Sequence, residues 1–129
     1  MNDFGFEEMQ QAQKSLHAKY EEKWGPLSPQ VGRDHLLWMI AEAGEVADVI
    51  KKRGDARIME DEATRAHFVE EMCDVLMYFN DVMLCYGITA EELKAAVNDC
   101  VQMEEDVKTG KISDLLSVEL LITKYSRAA

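Results

Sequence analysis

Proline is nearly missing from this chain. Of 129 residues, Pro26 and Pro29 are the only two, and they stand close together. The rest of the sequence can therefore run as long, uninterrupted helix. Cysteine is also scarce: Cys73, Cys85 and Cys100 are odd in number and form no CxxC. That argues against a disulfide framework or a zinc site, and for a reducing compartment, read here as cytoplasmic. Apolar runs are short, and none approaches membrane-spanning length. The acidic opening, MNDFGFEEMQ, lacks the apolar stretch of a signal peptide.

Positive charge is in short supply too. Fourteen Lys and Arg face 25 Asp and Glu, a net charge of −11. Duplex nucleic acid is excluded as a general partner, because its binding rests on phosphate neutralisation. A nucleotide is also repelled unless a metal ion arrives with it. Hydrophobic residues make up 47% of the chain, enough for a single globular domain of ordinary size.

Periodicity predicts an all-α fold. A first helix is expected from about Asp3 to Lys23, with Met9, Ala12, Leu16 and Tyr20 as its buried stripe. Gly25 to Gly32 reads as a turn-rich break, and Asp34 as the N-cap of a second helix running to Arg53. Residues 55–61 form a polar connection with room for one helical turn. A third helix, Glu62 to Tyr86, carries a wide apolar band including Phe68, Met72, Val75, Leu76, Phe79, Val82 and Met83. Gly87 stops it. Thr89 and Glu92 form a T-x-x-E signature for a fourth helix, Ala90 to about Lys108. A turn at Thr109–Lys111 leads to a last helix over about 112–127. The expected architecture is a four-helix-bundle-like core, about 3–108, with that helix as an extension.

What the chain does have is four carboxylates in two short pairs. Glu42 and Glu45 stand three apart in LLWMIAEAGEVADVIKK, and Glu71 and Asp74 stand three apart in HFVEEMCDVLMYF. On a helix each pair projects from one face. Both pairs sit among apolar residues, and no Lys or Arg lies within four positions of any of them. A carboxylate withdrawn from water needs a compensating charge. If the second and third helices pack side by side, the four carboxylates converge and a divalent cation supplies it. Oxygen donors point to magnesium, with manganese as a substitute, and away from zinc.

Rival chemistries fit less well. A di-iron bundle needs Glu-x-x-His on two helices. Here the residues three before His17, His35 and His67 are Lys14, Gly32 and Thr64. Cys73 lies between Glu71 and Asp74, where a thiolate is disfavoured, and all three cysteines read as small buried thiols. An ExxE helix can also be an ordinary wet face, and the four acids remain open to that reading.

At these residues the chain resembles the MazG-like, all-α nucleoside triphosphate pyrophosphohydrolases, the superfamily that includes dimeric dUTPases and dCTP pyrophosphatases. Ala41-Glu42-Ala43-Gly44-Glu45-Val46 is similar to its ExxE half, and Glu70 to Tyr78 to its ExxD half. The similarity covers roughly Leu16 to Leu93. It implies magnesium-dependent hydrolysis of an NTP or dNTP to the monophosphate and pyrophosphate, a nucleotide housecleaning activity. Glu42, Glu45, Glu71 and Asp74 are then the catalytic metal ligands. His17 and Trp24, in Leu-His-Ala-Lys-Tyr-Glu-Glu-Lys-Trp, become candidates for contacts to the base, and Trp38 for the pocket floor. A homodimer or homotetramer is implied as well.

Two departures stand out. Ala41 occupies the position of an extra glutamate found in many relatives. The stretch Asn98 to Lys108 is acidic where relatives bind phosphates with Lys, Asn and Arg, leaving Asn98 and Lys108 as loose counterparts. Lys51, Lys52 and Arg53 are substitutes for that grip, across a subunit boundary or otherwise, although a basic helix end also complements the helix dipole. A weakly active or inactive nucleotide- or metal-binding oligomer is the alternative function.

Overall fold

The computed structural model describes residues 4–111 together with Thr123. It is all-α: α1 is Phe6–Trp24, α2 is Pro29–Arg53, α3 is Asp55–Glu60, α4 is Glu62–Cys85 and α5 is Ala90–Lys108. The helix expected over about 112–127 lies outside the described residues apart from Thr123. The chain divides into two compact units after Ala90. The first contains α1 to α4. The second contains α5, which begins where the T-x-x-E signature placed it.

Helix boundaries follow local chemistry. Gly5 is extended (φ −98°, ψ −179°), so α1 starts three residues later than expected. The second helix starts earlier than expected. Ser28, not Asp34, is its N-cap, with Pro29 in the first turn. Proline is tolerated there because its missing N–H has no intrahelical partner to lose. Gly54 ends α2 at φ 80°, a conformation that other residues resist. Asp61 caps α4 by accepting from the Thr64 backbone N–H at 2.9 Å and the Thr64 hydroxyl at 2.6 Å.

The first unit is built on α2 and α4, which pack along each other, with α3 and α1 both against α4. The α2–α4 pair is antiparallel. Gly32, near the start of α2, meets Cys85 and Tyr86 at the end of α4, whereas Glu42 lies opposite Glu71 and Asp74. A Cβ on Gly32 would sit 2.8 Å from the Cys85 Cβ, so this crossing needs the absent side chain. Met9, Val49, Ile58, Met83, Leu84 and Cys85 form the buried apolar core. Each large member contributes roughly 1.5–3 kcal/mol by leaving water.

The buried face of α1 differs from the expected stripe. Leu16 and Tyr20 are exposed, and the residues that turn inward with Met9 are Gln10, Gln13 and His17. They do so because α4 presents polar groups there. Asn80 donates to the Met9 carbonyl at 3.3 Å, and Gln13 donates to Asp81 at 2.7 Å. Gln10 donates to the Ile88 carbonyl at 3.0 Å. The band on α4 is also partly wet: Met83 is buried, but Met72, Leu76 and Phe79 are exposed. Of the cysteines, Cys85 alone is buried; Cys73 and Cys100 are exposed and all three are free.

Candidate functional site

The antiparallel register of α2 and α4 brings Glu42, Glu71 and Asp74 together. One carboxylate oxygen from each lies within 4.8 Å of the others. All three are half-buried. The Glu42 carboxyl is held above its ordinary range, first by desolvation and then by the charges of Asp74, Glu71 and Glu45. Glu45 therefore contributes to the local negative potential, but it is exposed and stands outside the converging group. His67 Nδ1 lies 3.5 Å from Glu71 Oε1. Among the described residues, no Lys or Arg forms an ion pair with any of the three. The donor set suits a hard cation, which would relieve the mutual repulsion of the carboxylates.

A second cluster lies farther along α2 and α4, where α1 joins them, and sequence reasoning did not assemble it. His17, His35 and Asp81 place one ligand-type atom each within 4.8 Å of one another. His35 Nδ1 bonds Asp81 Oδ2 at 3.1 Å, while Gln13 Nε2 donates to Oδ1 at 2.7 Å. His17 Nε2 approaches Oδ1 to 3.2 Å, but not along a hydrogen-bonding direction, and both its ring nitrogens are buried without a hydrogen bond. Asp81 is 4% exposed and His17 3%. The missed signal was the spacing of Gln10, Gln13 and His17, which mark one face of α1 when polar residues are allowed to count.

Between the two clusters lies a cleft of about 390 Å³ lined by Trp24, Trp38, His35, Tyr78, Asp74 and Asp81, with Gln13 at its inner end. The Trp24 indole meets the His17 ring edge-on at 5.4 Å between centroids, and the Tyr78 ring stands edge-on to His35 at 5.6 Å. Burial, then the charges of Glu42, Asp81 and Asp74, push the Tyr78 phenol above its ordinary pKa, so it stays a neutral donor. Gln13 Oε1 is buried without a partner, because the Asp81 carboxylate fixes which end of the amide faces it.

The other candidate residues are dispersed. Lys51, Lys52 and Arg53 form the exposed last turn of α2, where Lys52 donates to Asp48 at 2.6 Å. Asn98 and Lys108 are exposed on α5, in the second unit. No helix among the described residues is long and apolar enough to cross a membrane. No protein-family model matches the chain, and neither a curated protein nor a solved structure does so.

Proposed function

We propose that the chain is a magnesium-dependent nucleoside triphosphate pyrophosphohydrolase, with Glu42, Glu71 and Asp74 as the cation-binding group and the adjoining aromatic cleft as the base pocket. The observation that carries this reading is the convergence of three carboxylates from two helices, without Lys or Arg compensation, one of which also lines that cleft. Asp74 belongs to both features. A bound magnesium ion supplies neutralisation of phosphate charge and a more acidic water. Glu45 adds to the negative potential that attracts the ion. Attack by a water oxygen on the α-phosphorus breaks the bond to the bridging oxygen. Pyrophosphate leaves, and the water's proton passes to a carboxylate of this acidic set. Manganese meets the same oxygen donors.

The base lies between Trp24, Trp38 and Tyr78, with its polar edge toward Asp81 and Gln13. Asp74 and Asp81 are seven residues apart on α4, about 10 Å. That separation matches the reach of a nucleotide from its α-phosphate to its base. Asp81, a carboxylate in the lining, offers acceptors only, so the pocket favours a base that presents an amino group over one that presents a carbonyl there. Apolar residues exposed on α2 and α4, including Leu37, Ile40, Val69, Met72 and Leu76, supply a face for a homodimer or homotetramer.

Pyrophosphate release from a panel of NTPs and dNTPs with magnesium tests the reading. Turnover that Glu42→Gln and Asp74→Asn both abolish, at unchanged helicity, is expected. Full activity in both variants overturns it. Magnesium-dependent nucleotide binding without product would favour a binding protein instead.

A further inference from the structure

We infer that a cationic groove between the end of α2, α3 and the start of α4 receives the β- and γ-phosphates of the substrate and holds pyrophosphate as it leaves. The groove, about 360 Å³, is lined by Arg53, Arg57, Asp61, Thr64 and His67, with Ala63. This inference rests on the reading of the carboxylate group as a nucleotide site, and it supplies the phosphate grip that the acidic stretch 98–108 does not offer.

Three observations carry it. The first is charge. In a chain with 14 Lys and Arg against 25 acids, two arginines share one depression, and a histidine lines it as a further hydrogen-bonding group. Neither arginine forms an ion pair among the described residues. Asp61 is the groove's carboxylate, and its Oδ2 is committed to the Thr64 backbone and hydroxyl. Those two bonds, and more weakly Arg57 and Arg53, hold it below the ordinary carboxylate range. The guanidinium groups keep donors to spare, since each carries five N–H in a fork that matches phosphate oxygens.

The second is continuity. His67 lines the groove and also stands 3.5 Å from Glu71 Oε1, so the groove opens beside the carboxylate group. The third is order along α4. Thr64, His67, Glu71, Asp74, Tyr78 and Asp81 follow one another on successive turns. The aromatic cleft lies on the Asp81 side of the carboxylates and the arginine groove on the Thr64 side. A nucleotide whose base occupies the cleft and whose α-phosphate lies at Glu71 and Asp74 must send its remaining phosphates toward His67, about 6 Å further along the helix axis. The oxygen between α- and β-phosphorus keeps the electron pair of the broken bond, and the charge that develops there falls on the arginine side. Lys51 and Lys52 do not line the groove, and Lys52 is bound to Asp48.

Calorimetry with magnesium pyrophosphate, and steady-state kinetics on whichever triphosphate the full chain hydrolyses, test this directly. Arg57→Gln should weaken pyrophosphate binding and raise KM for the triphosphate, each about tenfold, with a further loss in Arg53→Gln/Arg57→Gln. Inhibition by the nucleoside monophosphate and calorimetric affinity for manganese alone should stay unchanged, because neither reaches the groove. Arg57→Lys should recover part of the loss. A fold-change that scales with the number of phosphates separates this role from a structural one. Unchanged pyrophosphate affinity and KM in the double variant overturn the groove while leaving the carboxylate reading intact. If the chain hydrolyses no triphosphate yet binds pyrophosphate through Arg57, the hydrolytic reading falls and the anion groove stands.

Discussion

Two polar clusters share α2 and α4, one of them joined by α1, and handle negative charge in opposite ways. Around Asp81 the protein supplies its own partners. Gln13 and His35 hydrogen-bond both carboxylate oxygens and His17 stands against one of them. Around Glu42, Glu71 and Asp74 it supplies His67 at 3.5 Å from one carboxylate, and desolvation, then the neighbouring negative charges, raise the Glu42 pKa. A satisfied carboxylate deep in a core organises its neighbours. An under-compensated trio beside a cleft, on the proposed reading, is left for a cation that comes from outside. In the proposed hydrolase, that difference separates the pocket's wall from its reactive end.

The largest expected effect breaks the under-compensated cluster. Glu42→Gln or Asp74→Asn should lower kcat by at least about 100-fold, close to 3 kcal/mol of transition-state stabilisation. The comparison predicts a different signature at the compensated cluster. Asp81→Asn leaves His17 and His35 facing a neutral amide and presents a donor to the base. Discrimination between amino- and carbonyl-bearing bases, read as the ratio of kcat/KM for dCTP and dUTP, should fall or invert, with about 1–3 kcal/mol at stake. Equal ratios in wild type and variant would remove Asp81 from base recognition.

Packing between the helices supports both clusters, and Gly32 sets how closely they approach. Gly32→Ala should cost about 1–3 kcal/mol in a denaturant melt, because the new Cβ meets Cys85 and the Tyr86 ring. A neutral result would mean that α2 shifts away without loss.

The smallest effect concerns the sign of the Glu42 shift. Its folded-state pKa is raised above the ordinary 4.5. The native state therefore binds the proton more tightly than the unfolded chain does, and stability from this group is full below pH 4.5 and lost as pH rises through the folded value. Without metal, Glu42→Gln should melt slightly higher than wild type at pH 7, with the gap closing below pH 4.5. Since Glu42 is half-exposed, solvent keeps this gain small. A lower melting point for the variant at pH 7 would show that repulsion among the three is not the controlling interaction.

The sequence disclosed much of this scaffold, unevenly. The α3–α4 boundary, the stop at Gly54 and the start of α5 follow from glycine and capping chemistry that acts within a few residues. The start of α2 was misplaced because Ser28-Pro29 looked like a turn, although serine followed by proline is equally a helix start. Glu42, Glu71 and Asp74 could be picked out because paired acids in apolar sequence need an explanation. The pocket wall could not. Gln13 and His17 look like solvent-facing residues, and their burial follows from where Asn80 and Asp81 fall on α4, a fact of tertiary packing. Arg57 and His67 were invisible for the same reason: 10 residues apart in the chain, they share a groove once α3 folds against α4.

The central claim is that Glu42, Glu71 and Asp74 form a divalent-cation site, and calorimetric titration of the full chain with manganese and magnesium tests it most directly. The account predicts saturable binding that Glu42→Gln and Asp74→Asn each remove, that Asp81→Asn leaves in place, and that raises the melting temperature of the wild type and of Asp81→Asn but of neither carboxylate variant. Titration without heat of binding, or binding of equal strength in the wild type and both carboxylate variants, would contradict it.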